Sequence, residues 1–597
     1  MSSHRFYICI ISLLFLFIVA TTSFAQNNQN HEDELRAEAI KRNKNYAPWN
    51  PNDIVKLRED TGLIGPGPRT SLPEATFPGY LTRPTTVAEL MPQALAAVTQ
   101  KGGRSPLGLA DPGDIVLIVI PHDSDRLIQE AIVQAYKSRK IEARIIYKDE
   151  ILGITSDLLN AIAEAKNVFK AGDGQQESGE WFELLGNWPD FNVYKNWVTL
   201  EDPVYASATW PDFNFPDDNM ATLDKNFNDM VFTAIIKYLD EHPEVNRVYY
   251  QKASRTLAKS ALKHHGNIYM GNYTYLNHYD LMGQSPNVPA DVWRMLEGKM
   301  IDPLSFVDRY EISDPEGTAM HSDVTVEEAR IWAAGSYQQG HLYMIPSQSS
   351  GRYPYSRVNY PAVGNNWLDS VQSRTNGIIA STNSHASNHA RIEVHLKDGY
   401  MDKIIGGGLY GDGMRLSLAY PKINELIWPD NPKPGFWWLY EAGTGTNPKY
   451  FKHPKEILLG QNLSERNAGG VIHWSFGTTV SSERDTDNFR EKNQMPTGHA
   501  MHHHTLLPTY QVRLRDSGNW LTLIEHGVIQ TYVDPEVRAL TSRYGNPNDI
   551  LRRDWIPELP GITAPGNYNE DYASDPGTHW VKWANSIEDG SNTYIGN

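Results

Sequence analysis

The hydrophobic pattern of the chain first indicates a strand, a helix and a strand joined by short turns. Residues 115–120 form a continuous apolar run after the turn-like segment 111–114. Apolar side chains then recur at helical spacing over 123–139, and 142–147 has the composition of a second strand. Two strands connected through a helix lie parallel, because a tight hairpin joins only antiparallel strands. This segment therefore predicts a βαβ unit with helices packed on a parallel sheet.

The same α/β pattern continues on both sides of this unit. Helical periodicity occurs over 86–100 and again over 223–239, where a strand at 245–251 follows. The segment 171–216 is rich in Trp, Asp, Asn and Pro and has no clear period, which predicts an insertion or a long surface excursion. We therefore assign residues 26–300 to an α/β domain with an N-terminal extension, this insertion and a parallel sheet.

The pattern changes beyond about residue 302. Short runs of alternating apolar and polar residues, separated by glycine-rich turns, lie at 391–396, 401–405, 471–476 and 511–514. Alternation with a period of two is typical of strands with one buried face. We assign 301–597 to a β-rich α+β domain and expect its last part, 534–597, to wrap an existing surface.

The first 25 residues have the organisation of a secretory signal. Arg5 precedes an apolar run over 6–20, and Ser23-Phe24-Ala25 forms a small-x-small cleavage site. The run approaches the length of about 17 residues that a membrane span needs, so an uncleaved anchor is the alternative. We expect cleavage after residue 25, and hence an exported, periplasmic or secreted protein without stable membrane insertion.

Composition narrows the classes of function. The chain has 597 residues, of which 40% are hydrophobic and 21% charged, so it is not mainly disordered. Its 54 Lys and Arg against 71 Asp and Glu give a net charge of −17, without the basic stripes of a nucleic-acid binder. The only cysteine, Cys9, lies in the signal, which excludes disulfides and thiolate metal sites from the mature chain. We expect a small-molecule or peptide partner and no nucleic acid.

Several common catalytic motifs are absent from the sequence. No G-x-S-x-G elbow and no H-E-x-x-H helix occurs. The glycine-rich segment 406–413 lacks the P-loop lysine and is interpreted as a turn. Because the mature chain has no cysteine, any metal site must use His, Asp, Glu or backbone oxygen as ligands.

Histidines are concentrated in one part of the chain, since seven of the twenty lie between His453 and His526. His502, His503 and His504 are consecutive. In a strand His502 and His504 would project from one face, about 6–7 Å apart, while His503 points away. Two neutral imidazoles on one face can bind one metal ion. A solvated loop whose histidines bind nothing is the alternative.

A carboxylate and a further histidine precede this run by about 65 residues or fewer. Glu441 stands beside the glycine-rich segment 443–447, interpreted as a turn that leaves the carboxylate uncrowded. His473 lies in the apolar strand 471–476, where a lone histidine is more often satisfied by a hydrogen bond. The neighbouring aromatic residues are candidates for a pocket wall, with core packing as the alternative: Trp438, Tyr440 and Trp474.

The order of these motifs resembles a known family. E-x-G-x-G-x-N-P at 441–448, V-I-H-W-S-F-G at 471–477 and H-x-H at 502–504 are similar to the thermophilic metal aminopeptidase (aminopeptidase T-like) family. That family is in turn similar to the iron-dependent 2,5-dihydroxypyridine dioxygenases, which share its fold. The resemblance covers about 105–150 and 300–530, and it is compatible with a homodimer.

The resemblance implies a set of metal ligands for a divalent ion. Glu441 and His473 fall on a metal-binding Glu and on the strand histidine of the aminopeptidases, and His502 falls on the first residue of their H-x-D pair. His504 replaces the Asp of that pair, and His341 stands where the peptidases have another metal-binding Glu. The dioxygenases resemble this chain at His341 and His502.

A further departure removes one acid–base candidate, because the family's tyrosine seven residues beyond the strand histidine is here Val480. The exchange of two carboxylates for neutral imidazoles makes the site less negative and favours one ion over a pair. Imidazole suits zinc and iron alike, so the identity of the metal stays open.

Three functions follow as hypotheses. The first is an exported metallohydrolase that uses metal-activated water on an amide or related carbonyl, with Glu441 as general base where it does not bind the metal. The second is a mononuclear iron dioxygenase that opens an aromatic ring, with His341, His502 and His504 as its triad. The third is a metal-binding protein without catalysis.

Overall fold

The structure is a computed structural model of the 597-residue chain. It describes residues 45–78, 84–100, 106–122, 124–153, 220–250, 268–283, 288–333, 341–344, 374–384, 388–419, 425, 437, 439–450, 468–476, 501–553, 555–588 and 595–596. The expected signal peptide and the insertion 171–216 lie outside these residues. None of the helices within them is both long enough and apolar enough to span a bilayer.

Helices and strands are numbered in chain order over the described residues. The helices are α1 (Ile54–Asp60), α2 (Val87–Thr99), α3 (Arg126–Ser138), α4 (Lys148–Leu152), α5 (Met220–Glu241), α6 (His278–Gly283), α7 (Ala290–Ile301), α8 (Val326–Ala333), α9 (Gly408–Ala419), α10 (Pro535–Thr541), α11 (Pro547–Leu551) and α12 (Pro576–Glu588). The strands are β1 (Phe77–Pro78), β2 (Ile115–Ile120), β3 (Glu142–Tyr147), β4 (Arg247–Tyr250), β5 (Tyr269–Asn272), β6 (Val307–Asp314), β7 (Thr318–Asp323), β8 (His341–Tyr343), β9 (Asn376–Asn383), β10 (Asn388–Lys397), β11 (Tyr400–Gly406), β12 (Leu439–Gly445), β13 (Ile472–Phe476), β14 (Met501–Thr505), β15 (Thr509–Leu514), β16 (Trp520–Glu525), β17 (Val528–Ile529) and β18 (Ile595–Gly596).

The N-terminal region contains a four-stranded parallel sheet in the order β3-β2-β4-β5. Alternate residues of β2 belong to two different cores: Val116 and Ile118 pack with α2 and α3, whereas Leu117 and Val119 pack with α5. Such burial on both faces explains why β2 is a continuous apolar run. The predicted βαβ unit is confirmed. Helix α3 begins at Arg126 because the Asp125 side chain accepts a hydrogen bond from the Leu127 amide at its N-terminus.

Two antiparallel sheets follow in the C-terminal region. The larger has eight strands in the order β11-β10-β9-β7-β6-β15-β16-β17, and the smaller has four in the order β14-β13-β12-β8. The expected fold class, an α/β region with a parallel sheet followed by a β-rich region, is therefore confirmed. The domain boundaries at 25 and 300 remain predictions.

One face of the small sheet packs into the main hydrophobic core. Ile472, Trp474 and Phe476 of β13 share that core with Ile392 and Tyr510 of the large sheet. The Trp474 indole nitrogen donates a hydrogen bond of 3.3 Å to Thr505 Oγ1. Trp474 is thus a core residue rather than part of a pocket wall, and the side chains of Trp438 and Tyr440 lie outside the description.

Two glycine-rich segments that we interpreted as turns have regular structure instead. Residues 443–445 continue strand β12, because the backbone of this strand pairs with β13 on one side and β8 on the other. In the segment 406–413, only Gly406 to Gly408 have positive φ, and α9 begins at Gly408. A Cβ at Gly407 would come within 2.7 Å of the Gly411 Cα, so glycine is required where the strand meets the helix.

The C-terminal residues cover an existing surface, as expected. Aromatic side chains from 555–583 form one cluster with Phe77 and Leu506. The last described residues, β18, pair in parallel with β1. This pairing joins the last described residues to a segment that precedes the parallel sheet in the sequence.

Two buried carboxyl groups hold the chain that leaves β14. Asp314, at the end of β6, accepts hydrogen bonds from the amides of Leu507 (2.9 Å) and Glu316 (2.8 Å). Glu316 accepts hydrogen bonds from the Tyr568 hydroxyl (2.7 Å) and the Thr382 hydroxyl (3.0 Å). Burial, reinforced by the nearby Glu316 carboxylate, raises the pKa of Asp314 to about 8. Burial also raises the pKa of Glu316.

These pKa shifts predict that stability falls as the pH rises. The unfolded Asp314 has a pKa of about 4, so the folded state binds its proton more tightly. The stabilisation is fully present below about pH 4 and is lost as the pH rises to about 8. Below about pH 6.5 the buried histidines of lowered pKa act in the opposite direction, so the effect of Asp314 is measured above that pH. Urea unfolding at three pH values between about 7 and 8 should therefore give a falling free energy of unfolding.

The matched variant is Glu316→Gln, which removes the neighbouring charge and keeps the acceptor for Tyr568 and Thr382. We expect a shallower fall in this variant, because the pKa of Asp314 moves back toward its ordinary value. An equal slope in the two proteins would contradict the assignment.

Candidate metal centre

Strand pairing brings three of the predicted histidines to one face of the small sheet. His473 of β13 pairs with His504 of β14, and Ser475 pairs with His502. Directly opposed residues of antiparallel strands have their side chains on the same face. Trp474 and its partner His503 lie on the other face. The expectation that His502 and His504 project together and His503 points away is confirmed.

The three imidazoles are close to one another. The Nδ1 atom of His473 lies 3.4 Å from Nε2 of His504. The ring centroids of His473 and His502 are 4.8 Å apart, and those of His473 and His504 are 5.5 Å apart. His473 and His504 are completely buried, whereas His502 is half-buried. His502 is therefore the most solvent-exposed of these three histidines.

The distance between the two ring nitrogens lies at the outer limit of a hydrogen bond. It is longer than the range of about 2.7–3.2 Å in which most N–H donors bind their acceptors. Two nitrogens that each lie about 2.0–2.1 Å from one tetrahedral zinc ion are about 3.4 Å apart. The separation of His473 and His504 therefore permits either a long hydrogen bond or the binding of one ion by both nitrogens.

A residue of the large sheet orients His504. The Nδ1 atom of His504 lies 3.0 Å from the side-chain oxygen of Asn383, whose amide nitrogen donates to Asn388 Oδ1. An amide oxygen only accepts, so Nδ1 of His504 carries the hydrogen and Nε2 carries the lone pair. That lone pair is directed at His473. Buried ligand histidines in metal sites are commonly held in this way by their second nitrogen.

The second nitrogen of His473 also has a partner. Its Nε2 atom lies 2.8 Å from the hydroxyl of Ser475, two residues along the same strand. Both residues are completely buried. Alternation places them on one face, so the contact is a local consequence of the strand.

The two remaining candidates occupy neighbouring backbone positions in the same sheet. Glu441 of β12 pairs with Ser475, and Gly443 pairs with His473. His341 of β8 pairs with Gly445. The register therefore brings the positions of all five candidate ligands into one four-stranded sheet. The side chains of Glu441 and His341 lie outside the description.

The opposite face carries a second histidine pair, which the sequence did not indicate. The rings of His503 and His389 lie 5.7 Å apart, and the ring of Tyr410 stacks on His389 at 4.5 Å. His503 Nδ1 is 3.1 Å from the Ser381 hydroxyl. Burial lowers the pKa of His389 to about 4 and the pKa of His503 well below its usual value. Both rings are therefore neutral at physiological pH.

Sequence reasoning missed Asn383 and Ser475. Ser475 could have been found, because it follows His473 by two residues in a predicted strand. Asn383 is 121 residues from His504 and carries no motif, so only the packing of β9 against β14 relates the two.

The described side chains supply only part of a ligand set for a divalent ion. Among these side chains, no three His, Cys, Asp or Glu residues are grouped so as to hold a metal. The described contribution is the pair His473 and His504, two neutral imidazoles of the type that suits zinc or iron. The other ligands of the predicted set are His341, Glu441 and His502, and their participation remains a prediction.

Comparisons with known proteins give a remote likeness to two solved structures. One is the 2,5-dihydroxypyridine dioxygenase from Pseudomonas putida KT2440, with a TM-score of 0.32 and 11% identity over 76% of this chain and 99% of that one. The other is wild-type AmpT from Thermus thermophilus, with a TM-score of 0.32 and 10% identity over 74% of this chain and 100% of that one. No family model matches the chain. No curated protein matches it either. Membership of the aminopeptidase family remains a prediction.

The contact between Asn383 and His504 predicts a cost for removing the amide. Asn383→Leu leaves the buried His504 N–H without its acceptor, so the free energy of unfolding should fall by about 1–3 kcal/mol. Urea unfolding followed by circular dichroism measures the change. The control is Asn376→Leu on the same strand, where the amide is half-buried and water can replace it. Equal losses in the two variants would contradict the role of Asn383.

Proposed function

We propose that this chain is an exported, metal-dependent enzyme that hydrolyses an amide or a related carbonyl compound. His473 and His504 hold one divalent ion, and His341, Glu441 and His502 complete its ligands. The observation that supports this proposal is the distance of 3.4 Å between Nδ1 of His473 and Nε2 of His504. The Asn383 side chain strengthens it, because it directs the His504 lone pair to the same point.

The residues of the chain have separate tasks in this proposal. A bound divalent ion would polarise the carbonyl of the substrate and lower the pKa of a bound water molecule. The neutral rings of His473 and His504 provide lone pairs, and their burial keeps bulk water from competing for them. Glu441, at the backbone position opposite Ser475, is the general base where it does not bind the ion. Substrate enters beside His502, the half-buried member of the face.

Zinc is favoured by the compartment that we expect. An exported protein works outside the reducing cytoplasm, where ferrous iron is harder to retain than zinc, which has no redox chemistry. The substrate class is a small molecule or a peptide. No nucleic acid is expected, given the net charge of −17.

A ring-cleaving iron dioxygenase is the second candidate. It is favoured because imidazole ligands also suit non-haem iron with positions left open for substrate and dioxygen, and His473 and His504 provide two imidazoles on one face of the sheet. In our sequence interpretation the triad was His341, His502 and His504. The register adds His473, which pairs directly with His504.

The metal proposal predicts that single histidine changes strongly weaken metal binding. We expect the purified wild type to retain about one divalent ion per chain by elemental analysis. His473→Gln and His504→Gln should lower zinc affinity by more than the 10–100-fold that loss of a supporting residue costs. His395→Gln, on β10, is the control, because His395 bonds to Glu393 and is not on this face. Circular dichroism verifies that each variant is folded.

Activity then separates the candidates. Turnover of an amide panel by the zinc-loaded protein without oxygen would support the hydrolase. Oxygen uptake that requires ferrous iron and a phenolic substrate would support the dioxygenase and overturn the hydrolase. Tight metal binding without turnover on either panel would overturn both enzymatic candidates and support a metal-binding protein without catalysis. A wild type that takes up no divalent ion would overturn all three.

A further inference from the structure

A chain of hydrogen bonds crosses the candidate metal centre. It runs from the Ser475 hydroxyl to His473 Nε2 over 2.8 Å, from His473 Nδ1 to His504 Nε2 over 3.4 Å, and from His504 Nδ1 to Asn383 Oδ1 over 3.0 Å. All four side chains are completely buried. The positions of hydrogens along this chain follow from the chemistry of its two ends.

Asn383 sets which atoms donate and which accept along this series of hydrogen bonds. Because Asn383 offers an oxygen, His504 must carry its hydrogen on Nδ1 and its lone pair on Nε2. Without a metal, the close approach of His473 Nδ1 to that lone pair is favourable only when Nδ1 carries a hydrogen. A neutral His473 then has its lone pair on Nε2, and the Ser475 hydroxyl donates to it.

Binding of a metal ion would reverse the donor and acceptor roles between His473 and Ser475. An ion held by His473 Nδ1 and His504 Nε2 requires lone pairs on both atoms. His473 must then carry its hydrogen on Nε2, where it donates to the Ser475 oxygen. His504 is unchanged. The imidazole of His473 is neutral in both states and exchanges one tautomer for the other.

We propose that Ser475 is a positioning residue that stabilises His473 in both tautomers, as hydrogen-bond donor without the metal and as acceptor with it. A hydroxyl is suited to this task because it both donates and accepts. An amide or a carboxylate at the same place would satisfy only one state without moving. This inference rests on the proposed metal function, since it assigns a role in binding the same ion.

The metal-bound state depends on Ser475 more strongly than the metal-free state. Coordination withdraws electrons from the ring and makes its remaining N–H a stronger donor, and hydrogen bonds with charged groups are about twice as strong as neutral ones. Loss of the hydroxyl therefore weakens metal binding rather than affecting both states equally. Supporting residues of metal-bound histidines typically contribute 10–100-fold to affinity.

The chain offers a matched control for this contact. Ser381 makes the same kind of contact with His503, at 3.1 Å, and both groups are completely buried. His503 lies on the opposite face of the sheet from His473. Ser381→Ala thus removes an equivalent buried hydroxyl without touching the candidate ligands.

The test combines zinc titration with nitrogen NMR of the full chain labelled with ¹⁵N-histidine. We expect His473, assigned by its absence in His473→Gln, to carry hydrogen on Nδ1 without zinc and on Nε2 with zinc. Ser475→Ala should bind zinc about 10–100-fold more weakly, and Ser475→Thr, which restores the hydroxyl, should recover most of that loss. Ser381→Ala should bind zinc as the wild type does.

Two results would overturn the inference while the proposed function stands. One is a wild type that binds zinc with His473 in the same tautomer before and after. The other is a folded Ser475→Ala that binds zinc as tightly as wild type, or no more weakly than Ser381→Ala. Absence of zinc uptake by the wild type would instead overturn the proposed function, and the tautomer exchange with it.

Discussion

The pairing of β13 with β14 is the constraint on which the candidate site depends. Its register opposes His473 to His504 and Trp474 to His503. One face of β13 carries Trp474 into the main core, and the other carries His473 beside His502 and His504 of β14. Because side chains alternate with a period of two, a slip of one residue would exchange the two faces. The burial of Trp474 in the core therefore fixes the positions of the histidines.

Burial of these polar groups requires partners, and those of His503 and His504 come from a different sheet. Strand β9 lies against the edge strand β14 and provides Asn383 for His504 and Ser381 for His503. Buried polar groups without partners cost about 1–3 kcal/mol each. The same contacts that offset this cost also set the tautomer of His504. Stability and the chemical state of the candidate ligands thus depend on the same hydrogen bonds.

The end of β14 is held in turn by the buried carboxyl group of Asp314, which accepts from the Leu507 amide. Glu316 follows Asp314 by two residues, and its carboxyl group accepts hydrogen bonds from two hydroxyl groups. One belongs to Thr382, the neighbour of Asn383 on β9, and the other to Tyr568 of the C-terminal region. The C-terminal residues therefore do more than cover a surface. They complete a polar network that begins at the strand carrying the histidines.

Local periodicity determined the elements and the faces of the strands. The βαβ unit at 115–147, the β-rich character beyond 302, and the separation of His503 from His502 and His504 could all be predicted, because each depends on neighbours within a few residues. The prediction of a turn at the glycine-rich residues 443–445 was wrong, because pairing of β12 on both sides outweighs the weak preference of glycine for turns. Tertiary structure alone decided that His473 opposes His504 and that Asn383 orients it. Contacts over 31 and 121 residues depend on how the sheets pack, and no local pattern records that packing.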